Sequence, residues 1–114
     1  MMRICLVLML ACTLAGCKSV PPPTPLAQLN PQQARGHGVY QAHCLVCHSD
    51  RTNTPLAGPA LRGIFKKEYL ASGAAATDER VSATILRGRN MMPAQGNVID
   101  HQDLDDLLAY LHTL

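Results

Sequence analysis

Cys44-Leu45-Val46-Cys47-His48 constrains this 114-residue chain more than any other stretch. On a helical turn, positions i, i+3 and i+4 share a face, so two thiols and one imidazole are presented together. A C-x-x-C-H run is the pattern that attaches a c-type haem. Its cysteines meet the two vinyl groups of one porphyrin, and its imidazole faces the iron. A zinc site or a dithiol redox site would use the C-x-x-C pair and has no need of the adjoining histidine. The remaining residues decide among the three.

The length holds at most one domain. With one Phe, three Tyr and no Trp, the aromatic core is thin, which suits a protein that folds around a macrocycle. Ten basic residues nearly balance eight acidic ones, and no basic stripe interleaves with aromatics. Nucleic acid is therefore excluded as a partner.

The N-terminal stretch reads as an address. Met1-Met2-Arg3 is a short positive region, and Ile4 to Ala15 is apolar. A bilayer-spanning helix needs about 20 apolar residues, so this segment suits a secretory signal instead. It runs into Leu14-Ala15-Gly16-Cys17, which resembles the lipobox of bacterial lipoproteins. That resemblance implies cleavage before Cys17 and a diacylglycerol on its sulfur. Residues 1–16 are then a lipoprotein signal peptide, facing the chain to the periplasm of a Gram-negative cell. Lys18 stands where an aspartate would signal inner-membrane retention, so the outer membrane is favoured.

Cysteine arithmetic follows. Cys5 and Cys12 leave with the signal and Cys17 is the anchor, so only Cys44 and Cys47 remain in the folded part. No further cysteines complete a four-thiolate zinc site. A Cys44–Cys47 disulfide stays open, although thioredoxin-like proteins place the pair in a βαβ pattern and none is visible.

Residues 17–30 read as the lipidated cysteine and a Pro-rich tether. Val20-Pro21-Pro22-Pro23-Thr24-Pro25 favours extended polyproline II, at about 3.1 Å per residue. Lys18 to Asn30 would hold the domain up to roughly 40 Å from its anchor. The folded domain is expected over residues 31–114. Asn30 is a good N-cap, Pro31 suits the first helical position and Gln33 falls at N3, opening a helix to about Cys44. Gly36 and Gly38 each cost that helix roughly 1 kcal/mol relative to Ala, a penalty explained if another backbone comes close. Asp78 to Arg87 reads as a second helix, with Gly88 as its stop. A third follows the cap Asp100, with Leu104, Leu107, Leu108 and Leu111 as its apolar stripe. Asp103, Asp105 and Asp106 favour its positive end. No segment alternates like a strand, so the domain is all-α with long loops.

The chain from about Pro31 to Leu114 resembles the class I cytochromes c. Gly36-His37-Gly38-Val39-Tyr40 is similar to the family's N-terminal helix, where a glycine and an aromatic cross the C-terminal helix. Leu107 and Tyr110 match the other side of that crossing. Gly58-Pro59-Ala60-Leu61-Arg62-Gly63 resembles the loop on the histidine side of the haem. The resemblance implies three or more helices wrapped around one covalently bound haem c. It also implies that the Pro59 carbonyl accepts the Nδ1 proton of His48, orienting it and raising its basicity.

The sixth iron ligand in that family commonly is a methionine directly before a proline. Outside the signal, the methionines are Met91 and Met92, and Met92 precedes Pro93. Met92 is therefore favoured, with Met91, a histidine or a vacant position as alternatives. Arg62, Lys66 and Lys67 are candidates to pair with haem propionates, Arg62 foremost by its place in the loop. Phe65 and Tyr69 either pack on the haem or belong to the core. His37, His43, His101 and His112 read as surface or helix-end residues.

These readings converge on a monohaem electron carrier and not an enzyme, since His48 and Met92 would close the iron to substrate. Redox partners would dock transiently at an exposed haem edge, with the protein a monomer attached to the membrane through Cys17. A haem-based sensor with a labile sixth ligand, or a cytochrome subunit of a larger oxidoreductase, remain the alternatives.

Overall fold

The computed structural model describes residue 16 and residues 19–114. The apolar stretch of the expected signal and the expected lipid-bearing Cys17 lie outside the described residues. Among the described residues, three α-helices make up the regular structure: α1 (Pro31–His43), α2 (Asp78–Arg87) and α3 (His101–Leu111). Among the described residues there is no strand. Isolated bridges pair Tyr69 with Ala75 and Arg89 with Met92, and no helix among the described residues is long and apolar enough to cross a membrane.

Each helix starts on a side chain that satisfies backbone donors left free by the first turn. The Asn30 side chain accepts from the Gln33 amide at 2.8 Å, and the Gln33 side chain accepts from the Asn30 amide at 2.9 Å. This reciprocal box, with Pro31 behind it, fixes where α1 begins. Thr77 caps α2 by accepting from the Arg80 amide at 3.3 Å, and Gly88 at φ 73° ends it. Asp100 caps α3 through the Asp103 amide at 2.8 Å.

The first and last helices cross at Gly36. A Cβ there would lie 2.5 Å from the Asp106 carbonyl carbon and 2.8 Å from Tyr110 Cβ. Only glycine permits that approach. Gly38 has no such reason, since nothing lies within 4 Å of where its Cβ would be. Around the crossing, the Tyr40 and Tyr110 rings sit 5.9 Å apart. Leu104, Leu107, Leu111 and Leu114 join them in the core with Val81, Ile85 and Ile99. Leu108, part of the expected stripe, is only partly buried against this core. Burying a leucine as fully as Leu107 stabilises by roughly 2 kcal/mol.

Asp106 departs from its expected role at the helix dipole. It is buried, and Arg35 Nε of α1 donates to it at 2.7 Å while Gln102 donates at 2.9 Å. Those bonds, above all the one from Arg35, hold its carboxyl below the usual carboxylate range.

The Pro-rich segment also departs from expectation. Its described part does not extend away from the domain but runs along it. Val20 packs on Gly63, so that a Cβ on Gly63 would come within 3.4 Å of two Val20 carbons and closer to a third. The Thr24 amide donates to the Thr113 carbonyl at 2.8 Å, and Arg51 Nη2 donates to the Thr24 carbonyl at 2.8 Å. A 3-10 turn over Leu26–Gln28 then leads into α1. Polyproline leaves its carbonyls free of internal bonds, and Arg51 uses that freedom.

Candidate functional site

Cys44 caps α1, its amide donating to the Tyr40 carbonyl at 2.8 Å. The Cys47 and His48 amides then both turn back onto the Cys44 carbonyl, at 3.1 and 3.0 Å. That extra turn brings Cys44, Cys47 and His48 to the wall of one cavity of about 750 Å³. Leu45 and Val46 take the outward positions and stay exposed. The thiols are free cysteines. Burial, with the nearby Cys47 adding to it, pushes the Cys44 thiol up to about 11, so it stays protonated at neutral pH.

The loop after the motif is pinned to it. The Gly58 amide donates to the Cys47 carbonyl at 2.7 Å and the Leu61 amide to the Ser49 carbonyl at 2.8 Å. These bonds set the Pro59 carbonyl oxygen 2.8 Å from His48 Nδ1. A carbonyl only accepts, so Nδ1 carries the proton and Nε2 keeps its lone pair. Gly58 lies flat against the ring: a Cβ there would sit 2.8 Å from Nδ1 and closer to Cε1. On the other side, the Tyr40 hydroxyl donates to the His48 carbonyl at 2.7 Å. Burial, with a further contribution from Asp50, raises Tyr40 to about 12, so the donor persists. Sequence reasoning saw Tyr40 only as a helix-crossing aromatic, because a bond to a main-chain carbonyl leaves no mark in residue pattern.

Met92 and Met91 both border the cavity, but differently. The Arg89 amide donates to the Met92 carbonyl at 3.0 Å and the Met92 amide returns to Arg89 at 2.9 Å, closing a tight turn. Asn90, at φ 51°, supplies the left-handed residue the turn requires. Met91 stands at the tip and is 90% exposed, whereas Met92 packs against the core. Gly88 makes room for this fold-back, since a Cβ there would meet the Met92 carbonyl oxygen at 2.5 Å.

Most of the remaining wall is apolar, including Leu61, Ile64, Leu70, Val81, Ile85 and Leu107. Two thiols, an imidazole nitrogen free to donate, a thioether and an apolar slot form a donor set that suits haem c. Arg62 does not line this cavity. It precedes Gly63, which turns at φ 68°, and its buried Nε finds no hydrogen-bond partner among the described residues. The cations on the wall are Lys67 and Arg89, while Lys66 turns to the Leu114 main-chain oxygen at 2.5 Å. Tyr69 borders the cavity. Phe65 does not, and stacks on His112 at 3.9 Å. His112 also reaches Asp78 at 2.7 Å. His37 is half-buried, its ring 5.0 Å from Tyr110, and His43 is exposed at the cavity edge.

Comparison with known proteins agrees with this geometry. The family described as cytochrome C oxidase, cbb3-type, subunit III matches residues 31–111. Cytochrome c6 from a Picosynechococcus species is 30% identical over 81 residues, spanning 68% of this chain and 69% of the relative. Cytochrome c6 from Pyropia tenera is 28% identical over 76 residues, spanning 67% and 85%. The solved structure of cytochrome c6 from the diatom Phaeodactylum tricornutum superposes with a TM-score of 0.55 at 25% identity, over 69% of this chain and 88% of that one. The fold is thus the all-α class I cytochrome c fold, and the chain belongs to this cytochrome c family, as a monohaem electron-transfer protein with one covalently attached haem c and not an enzyme.

Proposed function

We propose that this cytochrome is a lipid-anchored, periplasm-facing carrier whose haem is held by thioethers from Cys44 and Cys47, with His48 Nε2 and Met92 Sδ on the iron. The observation that carries the ligand assignment is the 2.8 Å approach of the Pro59 carbonyl to His48 Nδ1. When bound, the haem supplies the one-electron ferric–ferrous couple. Pro59 keeps the proton on Nδ1, fixes the ring and raises the donor strength of Nε2. Met92 offers a soft neutral sulfur that favours the ferrous state and raises the potential relative to a second histidine. The largely apolar wall would keep water from the haem, and Lys67 and Arg89 on that wall would supply positive charge for its propionates. The exposed Leu45, Val46 and Met91 offer apolar surface for transient docking of a redox partner.

Support for export and anchoring comes from the apolar leader and from Leu14-Ala15-Gly16-Cys17. Lys18 favours the outer membrane over the inner. A second reading, a cytochrome subunit of a larger oxidoreductase, draws on the matched family's description as an oxidase subunit. Co-purification of a stable complex from solubilised membranes would favour that reading, and a carrier running alone would favour the first.

A reduced-minus-oxidised spectrum with a pyridine haemochrome assay on the membrane fraction tests haem, linkage and location together. Low-spin ferric protein that does not bind carbon monoxide when reduced is expected. High-spin bands, or immediate carbon monoxide binding, would overturn the His/Met assignment. A Cys17→Ser variant should carry no diacylglycerol when its N-terminal peptide is read by mass spectrometry.

A further inference from the structure

The Pro-rich segment changes what a lipid at Cys17 would do. As a free tether it would give the domain roughly 40 Å of reach. Its described part is held instead at three points: Val20 on Gly63, Arg51 on the Thr24 carbonyl, and the Thr24 amide on Thr113. Arg51 Nη2 also lies 3.4 Å from the Pro23 carbonyl. Val20, Pro23 and Thr24 are half-buried against the domain. In the sequence, only Lys18 and Ser19 separate Cys17 from the seated Val20. Fully extended, that span covers about 11 Å.

The seat of Val20 is the turn that opens the 3-10 helix Ile64–Lys66. Ile64 and Lys67 of the same turn line the cavity. Lys66 and Lys67 are exposed, and with the half-buried Arg62 they outnumber Glu68. A surface of that sign is drawn to anionic phospholipid within a Debye length, and a span of about 11 Å from Val20 leaves it little choice.

We infer that Val20–Leu29 is a strap and not a tether, and that it holds the Gly63–Lys67 turn, and with it the adjoining cavity wall, against an anionic phospholipid surface. This rests on the proposed lipid at Cys17.

The test uses the full lipidated holoprotein in vesicles of phosphatidylethanolamine and phosphatidylglycerol. A fluorophore is attached at Glu68→Cys, beside the strap's seat, or at Gln32→Cys, beyond its other end. Quenching by headgroup-labelled lipid should be several-fold stronger at 68 than at 32. Inserting a dozen Gly/Ser residues between Ser19 and Val20 leaves the strap and fold untouched and should abolish the difference. Equal quenching at the two sites in membrane-bound wild-type protein overturns the strap inference, as does an undiminished difference after insertion. Mass spectrometry of the N-terminal peptide reads the anchor separately: an unmodified Cys17 overturns the lipoprotein reading and this inference with it.

Discussion

Gly36 of the first helix lies directly on the backbone of Asp106 in the last, with Tyr110 Cβ closing the space beside it. A methyl group has no room there, and the obstruction is main chain that cannot rotate away. Gly36→Ala should therefore destabilise the holoprotein by about 3 kcal/mol or more through overpacking, read as a lower guanidinium midpoint. Gly38→Ala, two residues on and open to solvent, should stabilise by about 0.5–1 kcal/mol through helix propensity. Equal effects from the two variants would show that the helices do not cross at Gly36.

The packing of Met92 against the core and the exposure of Met91 separate their roles. Met92→Ala should convert the ferric spectrum to high spin and let the ferrous protein bind carbon monoxide. Met91→Ala should leave both spectra as they were. The tight Arg89–Met92 turn fixes which sulfur reaches inward, so Met91 should not rescue the first variant.

Gly58→Ala places a methyl against the His48 ring and should force it off the Pro59 carbonyl. A histidine that no longer gives up its Nδ1 proton in part is a weaker donor to iron. The ferric state loses more than the ferrous, and the midpoint potential should rise in a redox titration. An unchanged potential would show that Pro59 does not act on the iron through His48.

Much of this was legible in the sequence where the determinants are local. Asn30, Pro31 and Gln33 announce the start of α1, Gly88 the end of α2 and Asp100 the start of α3, because each acts on backbone within one turn. That Cys44, Cys47 and His48 share one cavity wall was legible too, since they fall within five residues. What escaped was settled by partners far along the chain. The docking of Thr24 depends on Arg51 and Thr113, and the burial of Asp106 on Arg35. At Arg62, loop position does not reveal side-chain direction: a left-handed Gly63 turns the chain there, its Nε is buried without a partner among the described residues, and Lys67 and Arg89 line the cavity.

Acid should act on the helix crossing through Asp106. Its carboxyl is depressed below the usual range by the Arg35 and Gln102 bonds, so folding favours the ionised form. The stability it contributes is full above the unfolded carboxylate pKa of about 3.9 and is lost as pH falls through the lower folded value. Asp106→Asn should be less stable at neutral pH and should show a shallower loss of stability below about pH 4 than the parent. Parallel acid-unfolding curves for the two proteins would count against this.

The helix crossing at Gly36 and the cavity make different demands. The α1–α3 crossing needs nothing but the chain itself, and it already carries Cys44 at the end of α1. The far wall, from Leu70 through α2 to Met92, faces a cavity of about 750 Å³ that a haem would occupy. A haem bound there would join the two halves, tying the wall from Leu70 to Met92 to the edge that carries the thiols.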